Sequence, residues 1–229
     1  MTLAKAGALL AAILVVSVAA CDKSHDSRVD SEKAGGPAGR KAEAPAAQPP
    51  TPVDTVRMVH AHRLAGQTGL LQEYLLPAQR PHVVEFIQAI DRLVAADRVL
   101  KAAVTRHFGP LSTEAFDRSR AANAAGIFSR DVDVLDERID GDTAEVTVQI
   151  EDRIPLEVVA LVRRDGRWLI KTDPPVEGLA AEIVRLAQTL TDVARMLDKK
   201  PMTLAELKKE LSLREASVGR RITALTKNP

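Results

Sequence analysis

The hydrophobic pattern of this 229-residue chain changes period twice, and that change limits the fold more than any single motif. Val83, Phe86, Ile87, Ile90, Leu93, Val94, Leu100 and Val104 fall at three- and four-residue spacings, the mark of a helix with one apolar face. At Ala144 the spacing drops to two. Ala144, Val146, Val148 and Ile150 alternate with Glu145, Thr147, Gln149 and Glu151, as in a strand with one wet face. From Leu179 the helical spacing returns. Leu179, Ile183, Leu186, Leu190, Val193 and Leu197 alternate steps of four and three, a bundle or coiled-coil seam about three heptads long. Helices, then strands, then helices predict an α+β fold.

Turn and cap signals divide these sections. Asp54 can cap a helix from Thr55 to Leu76, with Pro77 and Pro81 breaking it. Gly109 and Pro110 close the second helix, and Ser112 or Thr113 starts a shorter third one through about Ala122, ending before Gly126. Val132 to Ile139 reads as a strand joined through Asp140-Gly141-Asp142 to the alternating segment. Leu156 to Arg163 and Trp168 to Thr172 flank Asp165-Gly166, a tight-turn pair because both residues reach positive φ. The expectation is a four-stranded antiparallel meander, with helices on the face carrying Val146, Val148 and Ile150. Thr147 and Gln149 face water. Asp173-Pro174-Pro175 ends the sheet. Thr203 with Glu206 and Ser212 with Glu215 read as two capping boxes, predicting two short helices that end near Leu225.

The N-terminus has its own organisation. Lys5 precedes an apolar run from Leu9 to Val18, which is too short to span a bilayer at roughly 20 residues and fits the core of a signal peptide. Val18-Ala19-Ala20-Cys21 resembles the lipobox of bacterial lipoproteins, and Cys21 is the one cysteine of the chain. The resemblance implies residues 1–20 as a signal peptide and Cys21 as the lipidation site, its thiol carrying diacylglycerol and its amino group palmitate or a similar acyl chain. Two or three chains give stable anchoring. Asp22 after the cysteine implies retention on the inner membrane facing the periplasm, with the outer membrane as the alternative. Residues 21–52 then form a tether. Gly35, Gly36, Pro37, Gly39 and the run from Ala42 to Pro50 carry no periodic apolar face to offset the entropy of ordering. Such a tether spans on the order of 30 Å as a coil.

Side chains that could carry chemistry are sparse. His60 and His62 are two apart and point away from each other on a helix, while His82 and His107 lie at opposite ends of the next one. Neither spacing makes a metal site, and no cofactor motif is present. Asp131, Asp133, Asp136 and Glu137 alternate in part with Val132 and Val134, as on the solvent face of a strand. Lys and Arg total 32 against 31 Asp and Glu, which gives no electrostatic pull toward nucleic acid. The stretch from Thr203 to Leu225 mimics a helix-turn-helix, but the turn glycine is missing and Ser212 stands near its place. An exported chain would not meet DNA, so a helical hairpin that packs or binds protein is the better reading.

Helices followed by a meander, with Asp165-Gly166-Arg167-Trp168 near its close, resemble the nuclear transport factor 2-like (cystatin-like) domains of many bacterial lipoproteins. The resemblance covers residues 53–173 and implies helices on a curved sheet around a cone-shaped cavity. Phe86, Leu93 and Trp168 would line that pocket if it took a small apolar ligand. Absence of an Asp–His pair weighs against a hydrolase or isomerase of the same fold. Residues 174–229 form a helical extension whose seam (Leu179, Ile183, Leu186, Leu190, Val193, Leu197) must be covered by something. The sheet, a second copy and a protein partner are the alternatives. The leading expectation is a non-catalytic, membrane-tethered binding module.

Overall fold

The computed structural model describes residues 49–116, 125–150 and 156–227. Helix α1, Pro52–Leu64, is capped by Thr51 rather than by Asp54. The Thr51 hydroxyl accepts from the Asp54 N–H at 3.1 Å, and the Asp54 carboxylate accepts from the Thr51 N–H at 3.0 Å. Thr55, Val56, Val59 and Arg63 are its buried stripe. The expected continuation to Leu76 fails at Gly66, whose φ of +70° is a left-handed conformation that suits glycine. The chain then turns into a 3-10 segment, Thr68–Tyr74. The leucines that extended the helical pattern are instead buried by this tighter turn, at Leu71 and Leu75.

Helix α2, Arg80–Phe108, follows its periodicity closely and ends at Gly109, with φ +85°. A 3-10 segment, Pro110–Phe116, replaces the start of the expected third helix. The remainder of that expectation, from Asp117 on, lies outside the described residues.

The sheet is a meander of β1 (Val132–Asp140), β2 (Thr143–Ile150), β3 (Glu157–Arg164) and β4 (Arg167–Lys171), all neighbours antiparallel. Its β3–β4 turn has Asp165 at φ 52° and Gly166 at φ 76°, as a two-residue turn with positive φ at both central positions requires. Ala144, Val146, Val148 and Ile150 are buried, whereas Thr147 and Gln149 are half-buried. Helix α1 and the first 3-10 segment lie against the sheet. β4 is covered at its outer edge by a parallel bridge from Leu75 to Ile170 and by Gln79, whose side chain bonds both the N–H and the C=O of Thr172. β1 carries a bulge at Leu135. The bulge and the acidic residues around it blunt the other edge against strand addition.

Helix α3, Leu179–Lys199, starts after Gly178 and packs against α2. The tail forms one helix, α4 (Leu204–Lys227), rather than two. Its first capping box is real: Thr203 N–H donates to Glu206 at 2.7 Å and Glu206 N–H to the Thr203 hydroxyl at 3.2 Å. The second, Ser212 with Glu215, sits inside the continuous helix. Leu207, Leu211, Val218 and Ile222 are buried on both sides of it, and continuous burial overrides a local stop signal. With no turn near Ser212, the helix-turn-helix likeness has no structural counterpart.

Candidate functional site

The six seam residues of α3 are all buried, with Leu186 2% and Leu190 0% exposed. Their cover is α2 on one side and α4 on the other. The cover is thus none of the three alternatives read from the sequence (the sheet, a second copy or a partner) but the chain's own helices, so the seam is core. Glu182, in the first turn of α3, closes the α3–α4 hairpin. It accepts from Arg185 at 2.6 Å and from Arg221 at 2.7 Å while 9% exposed. At the far end Asp198 accepts from Arg106 and His107 of α2 at 2.9 and 3.1 Å. These two donors hold its carboxyl below the usual aspartate value.

Phe86, Leu93 and Trp168 belong to the same contiguous core and are 0%, 1% and 7% exposed. Trp168 lies on the helix-facing side of β4, where its register partner Arg163 sits over the ring at 6.0 Å. A guanidinium over the ring is attracted by the electron-rich face of the indole. The expected pocket wall is thus a core anchor. Cys21 lies outside the described residues.

Sequence reasoning missed one polar centre. Arg63 is 1% exposed and spends its guanidinium inside the fold. Nε donates to the Phe128 carbonyl at 2.7 Å, and the two Nη atoms grip both Asp91 oxygens at 2.7 and 2.9 Å. Nη1 also reaches the Thr68 hydroxyl at 3.2 Å. This ties α1, the first 3-10 segment, α2 and the loop before β1 to one side chain. The signal was present: Arg63 continues the stripe of Val56 and Val59 at a spacing of four. Nearby, His60 Nε2 meets the Arg130 carbonyl at 2.9 Å, which clasps the same loop.

His62 lies between Gln67 Oε1, 2.9 Å from Nδ1, and the Tyr74 hydroxyl, 3.2 Å from Nε2. A neutral ring with its proton on Nδ1 satisfies both, Tyr74 donating to Nε2. Burial, then the neighbouring Glu73, pushes the Tyr74 phenol above its ordinary value. The pair braces α1 against the 3-10 segment. Among the described residues, no group of three His, Cys, Asp or Glu side chains is placed to hold a metal ion.

The sheet face away from the helices carries a cleft of about 250 Å³. One row across the strands defines it: Arg138 on β1 opposes Glu145 on β2, Glu145 opposes Ala160 on β3, and Ala160 opposes Lys171 on β4. Ala160 is the short side chain of the row, and the cleft opens above it. Asp140 and Val162 stand in the next row toward the turns and also line it. The bulge at Leu135 is what puts Arg138 here. Without it, the side-chain parity of β1 beyond Val134 would invert and turn Arg138 toward the helices.

No family model, no curated protein and no solved structure matches this chain.

Proposed function

We propose that this chain is a bacterial lipoprotein, exported, cleaved before Cys21 and held by lipid on the periplasmic side of the inner membrane. Its folded domain acts as a non-catalytic binding module of the cell envelope. The observation that carries the address is the succession of Lys5, the apolar run from Leu9 to Val18, and Val18-Ala19-Ala20-Cys21. In this reading the lipid on Cys21 is the anchor; among the described residues, no helix is long and apolar enough to cross a membrane. The binding role rests on how the polar groups are used. Arg63, Asp91, Glu182 and Asp198 are engaged in joining elements to one another, while the open sheet face keeps charged side chains around a cleft.

Labelling cells with an alkyne palmitate analogue tests the anchor. Wild-type protein is expected to take up label and Cys21→Ser to take up none, remaining as an uncleaved or soluble form. An unlabelled wild type refutes the lipoprotein reading. In the same cells Asp22 predicts co-fractionation with the inner membrane, and recovery in the outer membrane overturns that part alone.

A further inference from the structure

We propose that the open-face cleft binds a short zwitterionic peptide segment, its ammonium at Glu145 and its carboxylate at Lys171. This deepens the binding-module reading and rests on it, but it is independent of the lipid anchor. Three observations carry it. The first is charge order. Across the row the sheet presents Arg138, Glu145, the Ala160 gap and Lys171, so opposite charges stand on either side of an apolar floor made by Ala160 and Val162. A purely anionic ligand would meet Glu145, and a purely cationic one would meet Lys171.

The second is that these charges are unspent. Elsewhere in the fold Arg63, Glu182, Arg106 and Asp198 are all engaged within 3.0 Å by opposite charges. Glu145 and Lys171 are two strands apart with only the Ala160 methyl between them, too far to pair directly. Beyond the backbone ladder of the sheet, no hydrogen bond or ion pair engages Arg138, Glu145 or Lys171 among the described residues. The third is size. Two strand spacings are about 10 Å, and two to three extended residues span about 7–11 Å. The volume of about 250 Å³ lies just below the range of roughly 300–1,000 Å³ for drug-sized ligands, which suits such a segment.

The test titrates full-length protein in detergent with trialanine, following the methyl signals of Ala160 and Val162. Three relatives serve as controls: N-acetyl-trialanine, trialanine amide and the doubly capped peptide. Saturable binding of trialanine is expected, with each single cap weakening it about three- to tenfold and both caps together more. Glu145→Gln should erase the preference for a free ammonium, and Lys171→Met the preference for a free carboxylate. Ala160→Trp fills the cleft from a position outside the core and should abolish binding at an unchanged melting temperature. Equal binding of free and doubly capped peptide, or of N-acetyl-trialanine and trialanine, overturns the proposal, as does the absence of saturation.

A photo-crosslinking residue placed in living cells at Val162 or at exposed Leu213 separates this failure from that of the broader reading. Adducts at Val162 that free trialanine suppresses support the cleft. Adducts at Leu213 alone overturn the cleft and leave a binding module, and adducts at neither overturn both.

Discussion

Replacing Arg63 with Met removes the charge and keeps most of the stem volume, and it should cost about 3 kcal/mol. The value follows from what is left behind. Asp91 loses both of its bonds to the guanidinium, and the Phe128 carbonyl and Thr68 hydroxyl lose their donor. Breaking a fully buried ion pair costs about 3–5 kcal/mol. Asp91 is 30% exposed, so water recovers part of its loss, and the lower end of that range applies. For a domain of 150–250 residues this converts to a melting temperature about 6–12 °C lower. Arg63→Met with Asp91→Leu removes the stranded carboxylate as well and should regain part of the loss, because replacing both partners is cheaper than orphaning one. Circular dichroism melts of the three proteins make the comparison. Amide exchange over residues 125–130 should rise in both variants, since the Phe128 carbonyl loses its clasp in each. An Arg63→Met protein melting within about 2 °C of wild type would show that the network is geometric coincidence rather than a keystone.

Two further outcomes follow from the helices. Leu186→Asp with Leu190→Asp buries two carboxylates in the α2–α3–α4 layer, which should exceed the roughly 5–15 kcal/mol of a whole domain and leave no cooperative melt. A folded double variant would mean the seam is not core. Stability should also fall with acid. Asp54 is depressed first by the Thr51 N–H and then by its hydroxyl, Glu206 likewise by Thr203, and Asp198 by Arg106 and then His107. For carboxylates so depressed, the stabilisation is full above the ordinary values of 3.8 and 4.5. It is lost as pH falls through the lower folded-state values. Asp54→Asn, Glu206→Gln and Asp198→Asn combined should therefore flatten the loss of melting temperature below about pH 4.5, and an unchanged slope counts against these pairings.

How much of this was legible depended on whether the deciding partner was local. Strand β2 and helix α2 were readable because their periods, two and three-to-four, fix which side chains share a face. The β3–β4 turn was readable because Asp165 and Gly166 carry the conformation themselves. The first helix reads too long because Leu71 and Leu75 continue the pattern past Gly66, and periodicity does not distinguish an α-helix from a 3-10 turn that buries the same leucines. The tail reads as two helices at Ser212 because a capping box is a local signal. Leu207, Leu211, Val218 and Ile222 are fastened to α3 by contacts the tail sequence does not display.

The charged residues show the limit most sharply. Arg63, Asp97 and Glu182 each fall on the apolar stripe of their own helix. A charge in that position must be paired or pay a desolvation cost of several kcal/mol, so periodicity alone flags all three. It does not supply the partner. Asp91 lies 28 residues beyond Arg63, and Arg221 lies 39 beyond Glu182. Nothing around either distinguishes it from the other charges on its helix. The cleft is hidden for a related reason. Arg138, Glu145, Ala160 and Lys171 come into one row only through the register of four strands and a bulge at Leu135. A sequence reading that omits the bulge puts Arg138 on the wrong face. A deletion of Leu135 is therefore the sharpest probe of the site's origin. It should restore regular pairing, with Asp136 following Val134 opposite Thr147, and leave Arg138 opposite Glu145 on the open face. Trialanine binding should persist, because Glu145, Ala160 and Lys171 keep their row. Arg138, a cation directly opposite the carboxylate that takes the ligand's ammonium, should oppose that binding, so that Arg138→Met strengthens it to the same extent in the wild-type background and in the deletion. An effect of Arg138→Met that is lost in the deletion would show that removing Leu135 slides the strand beyond it and turns Arg138 off the open face.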